Sequence, residues 1–132
     1  MRTSTRIQVL AILAAKFIAP AFGQQPVACH VDPFQGATLP QGAIAQMTVV
    51  NTGASCAITN FGASGRTNPA DAGSIKAAPA HGSAEFVAPQ AKYTPEPGFV
   101  GEDEFSYDAF AKGNMNQQLR LRVTVKVKVV AQ

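Results

Sequence analysis

From Leu119 to Val129, apolar and polar residues alternate without a break. Leu119, Leu121, Val123, Val125, Val127 and Val129 are interleaved with Arg120, Arg122, Thr124, Lys126 and Lys128. A period of two marks a strand with one buried and one wet face, because successive side chains leave a pleated backbone on opposite sides. Phe105, Tyr107 and Ala109 give the preceding segment the same inward face, and the polar connection 111–118 carries Gly113. The two segments therefore predict an antiparallel hairpin. Its register follows from both faces together. Phe105 beside Val125 and Tyr107 beside Val123 on the inside place Asp108 opposite Arg122, Ser106 opposite Thr124 and Glu104 opposite Lys126 on the outside. Glu102 meets Lys128 just beyond. A slip of one residue turns a strand inside out, and a slip of two loses an opposite-charge pair.

Shorter alternations broken by Gly, Pro and Asn fill the rest of the chain from residue 24, and none has a sustained helical period. Strands are predicted over 27–31, 43–51, 55–61, 73–76, 83–88, 104–110 and 119–130, a pattern that points to an all-β sandwich of about seven antiparallel strands. Asn51-Thr52-Gly53 signals a tight turn, and residues 62–69 read as a polar loop from their Gly and Asn-Pro punctuation. No internal repeat or linker interrupts residues 24–132, which read as one domain.

Residues 1–23 read differently. Arg2 and Arg6 precede the apolar run 7–15, and Ala21-Phe22-Gly23 places small residues where a signal peptidase inspects the chain. Together they predict a secretory signal peptide cleaved before Gln24, with export to the periplasm or the extracellular space. The apolar run is too short to span a bilayer, so no membrane span is expected. Lys16 is unusual within such a leader, and an amphipathic N-terminal helix stopped by Pro20 is the competing reading. Cys29 and Cys56 are the only cysteines. In an oxidising compartment an even count predicts a disulfide. Two other uses remain open: lipidation of Cys29, although Pro26 spoils the lipobox, and a Cys29-His30-x-Asp32 metal site that lacks the paired spacing of zinc ligands.

Residues 93–107 run Tyr93-Thr94-Pro95-Glu96-Pro97-Gly98-Phe99-Val100-Gly101-Glu102-Asp103-Glu104-Phe105-Ser106-Tyr107. This resembles the signature of bacterial Ig-like and cadherin-like domains, Tyr-x-Pro followed by Gly-Phe-x-Gly-x-Asp-x-Phe-x-Tyr and a hairpin into a Thr/Val-rich last strand. Pro79-Ala80-His81-Gly82 is similar to the family's Pro-x-Asn/His-Gly turn, and Ala111 stands where the family commonly has the Asp of an Asp-Gly turn. The resemblance covers residues 79–129. It implies a single copy of an Ig-like sandwich, in a family found as tandem repeats in large surface proteins. Each motif residue also has a physical reading of its own. Pro95 and Pro97 hold an extended crossing segment. Gly98 and Gly101 permit turns that a side chain would obstruct. Phe99, Phe105 and Tyr107 bring large apolar area to a core without Trp. Asp103 is expected to accept hydrogen bonds from backbone N–H groups of the turn before its strand.

Charge and candidate chemistry narrow the function classes. The formal charge of +3 comes from 11 basic and 8 acidic residues, and Arg2, Arg6 and Lys16 all lie in the leader. Eight bases then face eight acids in residues 24–132, so a general polyanion or nucleic-acid partner is not expected. Ser64 lies one residue short of a nucleophile elbow, and His30 and His81, the only histidines, sit beside a cysteine and within a turn. No cofactor motif occurs, and an enzyme is not expected. Cadherin-like relatives bind calcium through clustered carboxylates at domain junctions. Here Glu102, Asp103 and Glu104 would alternate faces, whereas calcium needs converging oxygens, so calcium is not expected. The expected role is that of a non-catalytic exported module with a structural or surface-binding task, adhesion-like in character. The alternative is a small periplasmic carrier or accessory protein. A large uncharged pocket would favour the carrier, and an open edge strand or exposed apolar patch would favour protein binding.

Overall fold

A computed structural model describes residues 28–132, so the leader 1–23 and its cleavage point lie outside the described residues. The described chain is all β. Its strands are β1 (Cys29–Val31), β2 (Ala43–Val50), β3 (Cys56–Thr59), β4 (Phe61–Ala63), β5 (Thr67–Pro69), β6 (Ala72–Ala77), β7 (Gly82–Val87), β8 (Gln90–Pro95), β9 (Gly101–Lys112) and β10 (Gln118–Val130). They form a five-stranded sheet in the order β1-β2-β10-β9-β6, a three-stranded sheet in the order β3-β8-β7, and the separate hairpin β4-β5.

The two larger sheets enclose one core. Met47 and Val49 of β2, Phe105 and Tyr107 of β9, and Val123 to Val129 at alternate positions of β10 meet Ile58 of β3 and Ala91 and Tyr93 of β8. The alternation of β10 is realised residue by residue: Leu121, Val123, Val125, Val127 and Val129 are buried, and Arg120, Lys126 and Lys128 are exposed. The β9–β10 ladder has the register expected from the paired faces, with Phe105 opposite Val125, Tyr107 opposite Val123, Asp108 opposite Arg122 and Glu104 opposite Lys126. On its other side β10 pairs with β2, and this pair is parallel, from Val123↔Ala43 to Val130↔Val50. A strand flanked on both sides has no edge to expose, which suits the most apolar alternation in the chain.

Three strands were not expected from the sequence. The polar stretch read as a loop over residues 62–69 contains most of the β4–β5 hairpin, in which all three residues of β5 are exposed. Its hydrophobic pattern is empty because the hairpin buries little. It is held instead by polar bonds, the Asn68 amide donating to the carbonyls of Lys112 (3.0 Å) and Gly113 (3.1 Å) at the end of β9. Strand β8 occupies the segment whose prolines suggested only an extended crossing. Ala91, Tyr93 and Pro95 alternate inward, and β3 pairs with β8 only as far as Tyr93. Pro95 thus lies beyond that partner, where the missing N–H breaks no ladder on that side.

Candidate functional site: the Asp103 junction and the outer surfaces

The signature residues converge on one buried carboxylate. Strand β9 turns Asp103 toward the interior on the same face as Phe105 and Tyr107, opposite Val127 of β10. Its Oδ1 accepts from the backbone N–H of Ala80 (2.9 Å) and of Glu104 (2.9 Å). Its Oδ2 accepts from the N–H of His81 (3.0 Å) and from the Tyr93 hydroxyl (2.8 Å). This corrects the expected partners. The donors come from the turn between β6 and β7, more than twenty residues upstream, from β8, and from Glu104 of β9 itself, not from the turn that precedes β9. Asp103 thereby joins the Pro79–Gly82 turn to the signature, two motifs that the sequence shows only as separate stretches.

Burial by itself would raise the Asp103 carboxyl, but the bonds from Tyr93, Glu104, Ala80 and His81 outweigh it and hold the group below the usual carboxylate range. Tyr93 is driven the other way: its burial and then its bond to Asp103 push the phenol above its ordinary value. The Tyr93 ring stacks on Phe105 with centroids 5.6 Å apart. Phe99 stacks on the His81 ring at 4.4 Å, so the turn and the signature loop also meet through side chains. Gly98 and Gly101 have φ of 77° and 145°, in the region where a side chain is strained, as the motif reading required. Asn51 completes this end of the molecule, its amide donating to the carbonyls of Glu96 (2.8 Å) and Phe99 (3.0 Å).

A second buried polar centre had no signal in the sequence. Asn60, between β3 and β4, accepts from the Tyr107 hydroxyl (2.7 Å) and donates to the carbonyls of Ile58 (3.1 Å) and Pro89 (3.2 Å). Burial raises the Tyr107 phenol above its ordinary value, against a smaller lowering by Asn60. Among the described residues, no buried side-chain nitrogen or oxygen lacks a hydrogen-bond partner.

On the outer face of the five-stranded sheet the charges are arranged differently from expectation. Asp108 lies opposite Arg122 in the ladder, yet its carboxylate leans diagonally to Arg120, whose Nε donates at 2.9 Å, and Lys76 stands at 3.8 Å. Arg122 instead donates to the Pro40 carbonyl (3.2 Å). Glu104 and Lys126 share a rung, as do Glu102 and Lys128, but neither pair closes to an ion pair. These four side chains, with Gln46 and His81, line an open groove of about 650 Å³. At the opposite end of the sandwich an uncharged recess of about 340 Å³ is lined by Phe34, Thr38, Thr59, Asn60, Phe61 and Leu121.

Cys29 and Cys56 form a disulfide between β1 and β3, with Cα atoms 5.3 Å apart. That bond leaves Cys29 no free thiol for lipidation or metal binding. His30 is paired with Asp32 (2.8 Å), both exposed on one edge. Ser64 sits at the β4–β5 turn, where its carbonyl accepts from the Thr67 hydroxyl (2.9 Å). Among the described residues, no group of three or more His, Cys, Asp or Glu converges as a metal site, and no helix is long and apolar enough to cross a membrane. Compared with protein-family models, with curated proteins and with solved structures, the chain finds no match.

Proposed function

We propose that this chain is an exported, non-catalytic Ig-like module with a structural or surface-binding role in the cell envelope or extracellular space. The observation that carries this reading is the Asp103 junction. The most distinctive polar residues of the signature are bonded to one another and to backbone inside the fold. A buried carboxylate with every partner in place is a scaffold element, and a partner molecule would meet the surface around it. The strand order supports the Ig-like part: β6, β9 and β10 are neighbours in one sheet and β3, β8 and β7 in the other, as strands C, F, G and B, E, D are in immunoglobulin sandwiches. The disulfide is compatible with export. For the carrier alternative the cavities are a weak fit. The larger groove carries four charged side chains in cross-strand rows, and the uncharged recess is at the low end of the roughly 300–1,000 Å³ of ligand pockets.

Fractionation of the native host tests both parts. Intact mass should correspond to residues 24–132 with one disulfide, and crosslinking in intact cells should join the chain to an envelope or extracellular macromolecule. A cytoplasmic protein that retains residues 1–23 would overturn export. A stoichiometric small molecule in native mass spectra, without macromolecular crosslinks, would replace the module by the carrier.

A further inference from the structure

We propose that the Cys29–Cys56 disulfide is a redox latch on β1: its reduction frees residues 28–33 from the sheet and uncovers the edge of β2, while the rest of the sandwich stays folded. The inference goes beyond the module reading above and does not rest on it.

β1 has little of its own to hold it. It is three residues long and pairs only with β2, at Met47 to Val49. Two further backbone bonds bracket that ladder: the Val50 N–H donates to the Ala28 carbonyl (2.9 Å) and the Asp32 N–H to the Gln46 carbonyl (3.0 Å). His30 is exposed, and Cys29 and Val31 are only half-buried. A short edge strand with little buried area opens at low cost by local unfolding. The disulfide supplies what burial does not, because it ties Cys29 to the completely buried Cys56 of β3 in the opposite sheet.

The residues that follow limit the opening. Phe34 and Ala37 pack against the core. The Ala37 carbonyl accepts from the Arg122 N–H (2.8 Å), and the Pro40 carbonyl accepts from the Arg122 guanidinium (3.2 Å). None of these anchors involves the disulfide. The chain from Phe34 onward therefore stays in place, and the movable piece ends at Pro33.

What the piece covers is a strand fit for pairing. β2 has eight residues in unbroken register with β10, without Pro, Lys or bulge. Its buried Ala45, Met47 and Val49 alternate with exposed Ile44, Gln46 and Thr48. Such an edge carries none of the devices by which proteins block strand addition. β1 is the only strand on that side of it. The oxidised protein hides this edge, and the reduced protein presents it.

The co-reactant is a dithiol. Its first thiolate attacks the sulfur of Cys29, the half-buried partner on the edge, and Cys56 leaves as a thiolate that takes up a proton. The second thiol of the reductant then attacks its own sulfur in the mixed disulfide and releases Cys29. Two electrons and two protons have passed to the protein, and the dithiol departs as a cyclic disulfide.

The test is amide hydrogen exchange by NMR on the native protein, oxidised and then treated with dithiothreitol without denaturant. On reduction the Val50 and Asp32 amides should exchange faster by about tenfold or more. Those of Arg122, Val123 and Val125 should stay protected. Alkylation of the reduced, folded protein should modify Cys29 faster than Cys56 by about tenfold, because burial keeps the Cys56 thiol inert. Cys29→Ser/Cys56→Ser should show the same fast amides without reductant; if that variant fails to fold, the dithiothreitol arm decides alone. Unchanged protection of Val50 and Asp32 after reduction would overturn the proposal, as would equal labelling of the two thiols. So would loss of protection at Val123 and Val125 together with Val50, which would make the disulfide a brace of the whole fold. None of these outcomes touches the crosslinks in intact cells on which the module reading stands or falls.

Discussion

Asp103 carries more of the structure than its place in an acidic triplet suggests. Its four donors come from β8, from the turn before β7 and from its own strand, so one carboxylate fixes three pieces of chain. Asp103→Asn keeps the size but turns an amide N–H₂ toward groups that are themselves donors. The expected cost is about 2–3 kcal/mol, measured by urea unfolding at neutral pH. The pH dependence has a defined sign. Because the folded carboxyl titrates below its unfolded value, the unfolded chain binds more protons, and stability falls as pH drops below about 4. The stabilisation is fully present above that region. Asp103→Asn should flatten this acid limb, and a variant that keeps the wild-type slope would place the acid sensitivity elsewhere. The core has a simpler rule. Val125 is fully buried, so Val125→Asp should unfold the domain, since an unpaired buried charge costs several kcal/mol against a total of about 5–15. Lys126→Ala on the opposite face should cost less than about 1 kcal/mol.

At the scale of elements, the β9–β10 hairpin separates what a ladder determines from what side chains decide within it. Backbone register places Asp108 opposite Arg122, but the bonded arginine is Arg120, one diagonal step away. Arg122 is engaged by the loop between β1 and β2, through the Pro40 carbonyl and through its own N–H, which donates to the Ala37 carbonyl (2.8 Å). Asp108 is 4% exposed. Arg120→Ala, which leaves that carboxylate with only the more distant Lys76, should cost about 1–3 kcal/mol. Arg122→Ala should cost less than about 1 kcal/mol. Thermal or urea unfolding of the two variants separates the diagonal pair from the direct one, and equal losses would contradict it.

For the whole molecule, the disulfide is the only covalent cross-link between the sheets among the described residues. It joins positions 27 apart in sequence and brings the short edge strands β1 and β3 together. By chain entropy such a closure stabilises by about 3 kcal/mol, so reduction, or the Cys29→Ser/Cys56→Ser pair, should lower the unfolding free energy by about that amount. From residue 28 onward the formal charge is balanced, with eight bases and eight acids. With no net charge, these residues offer no net long-range attraction to a partner of either sign.

Periodicity of two, read from the sequence, was enough for the all-β class, the inward faces of β9 and β10, and the register of the last hairpin. Alternation and register are local or near-local consequences of the pleat, and both faces of this hairpin carry side chains that report on it. Two cysteines were enough to name the bridge. Other features depended on contacts between residues far apart in the chain. The β4–β5 hairpin buries too little to leave a pattern and is held by Asn68 on the end of β9. Asn60 reads as an ordinary polar residue until Tyr107, forty-seven positions away, reaches its carbonyl. The parallel pairing of β2 with β10 joins segments that no turn connects. Asp103 was legible as an acceptor, but its donors were settled only when folding brought the turn before β7 and Tyr93 to it.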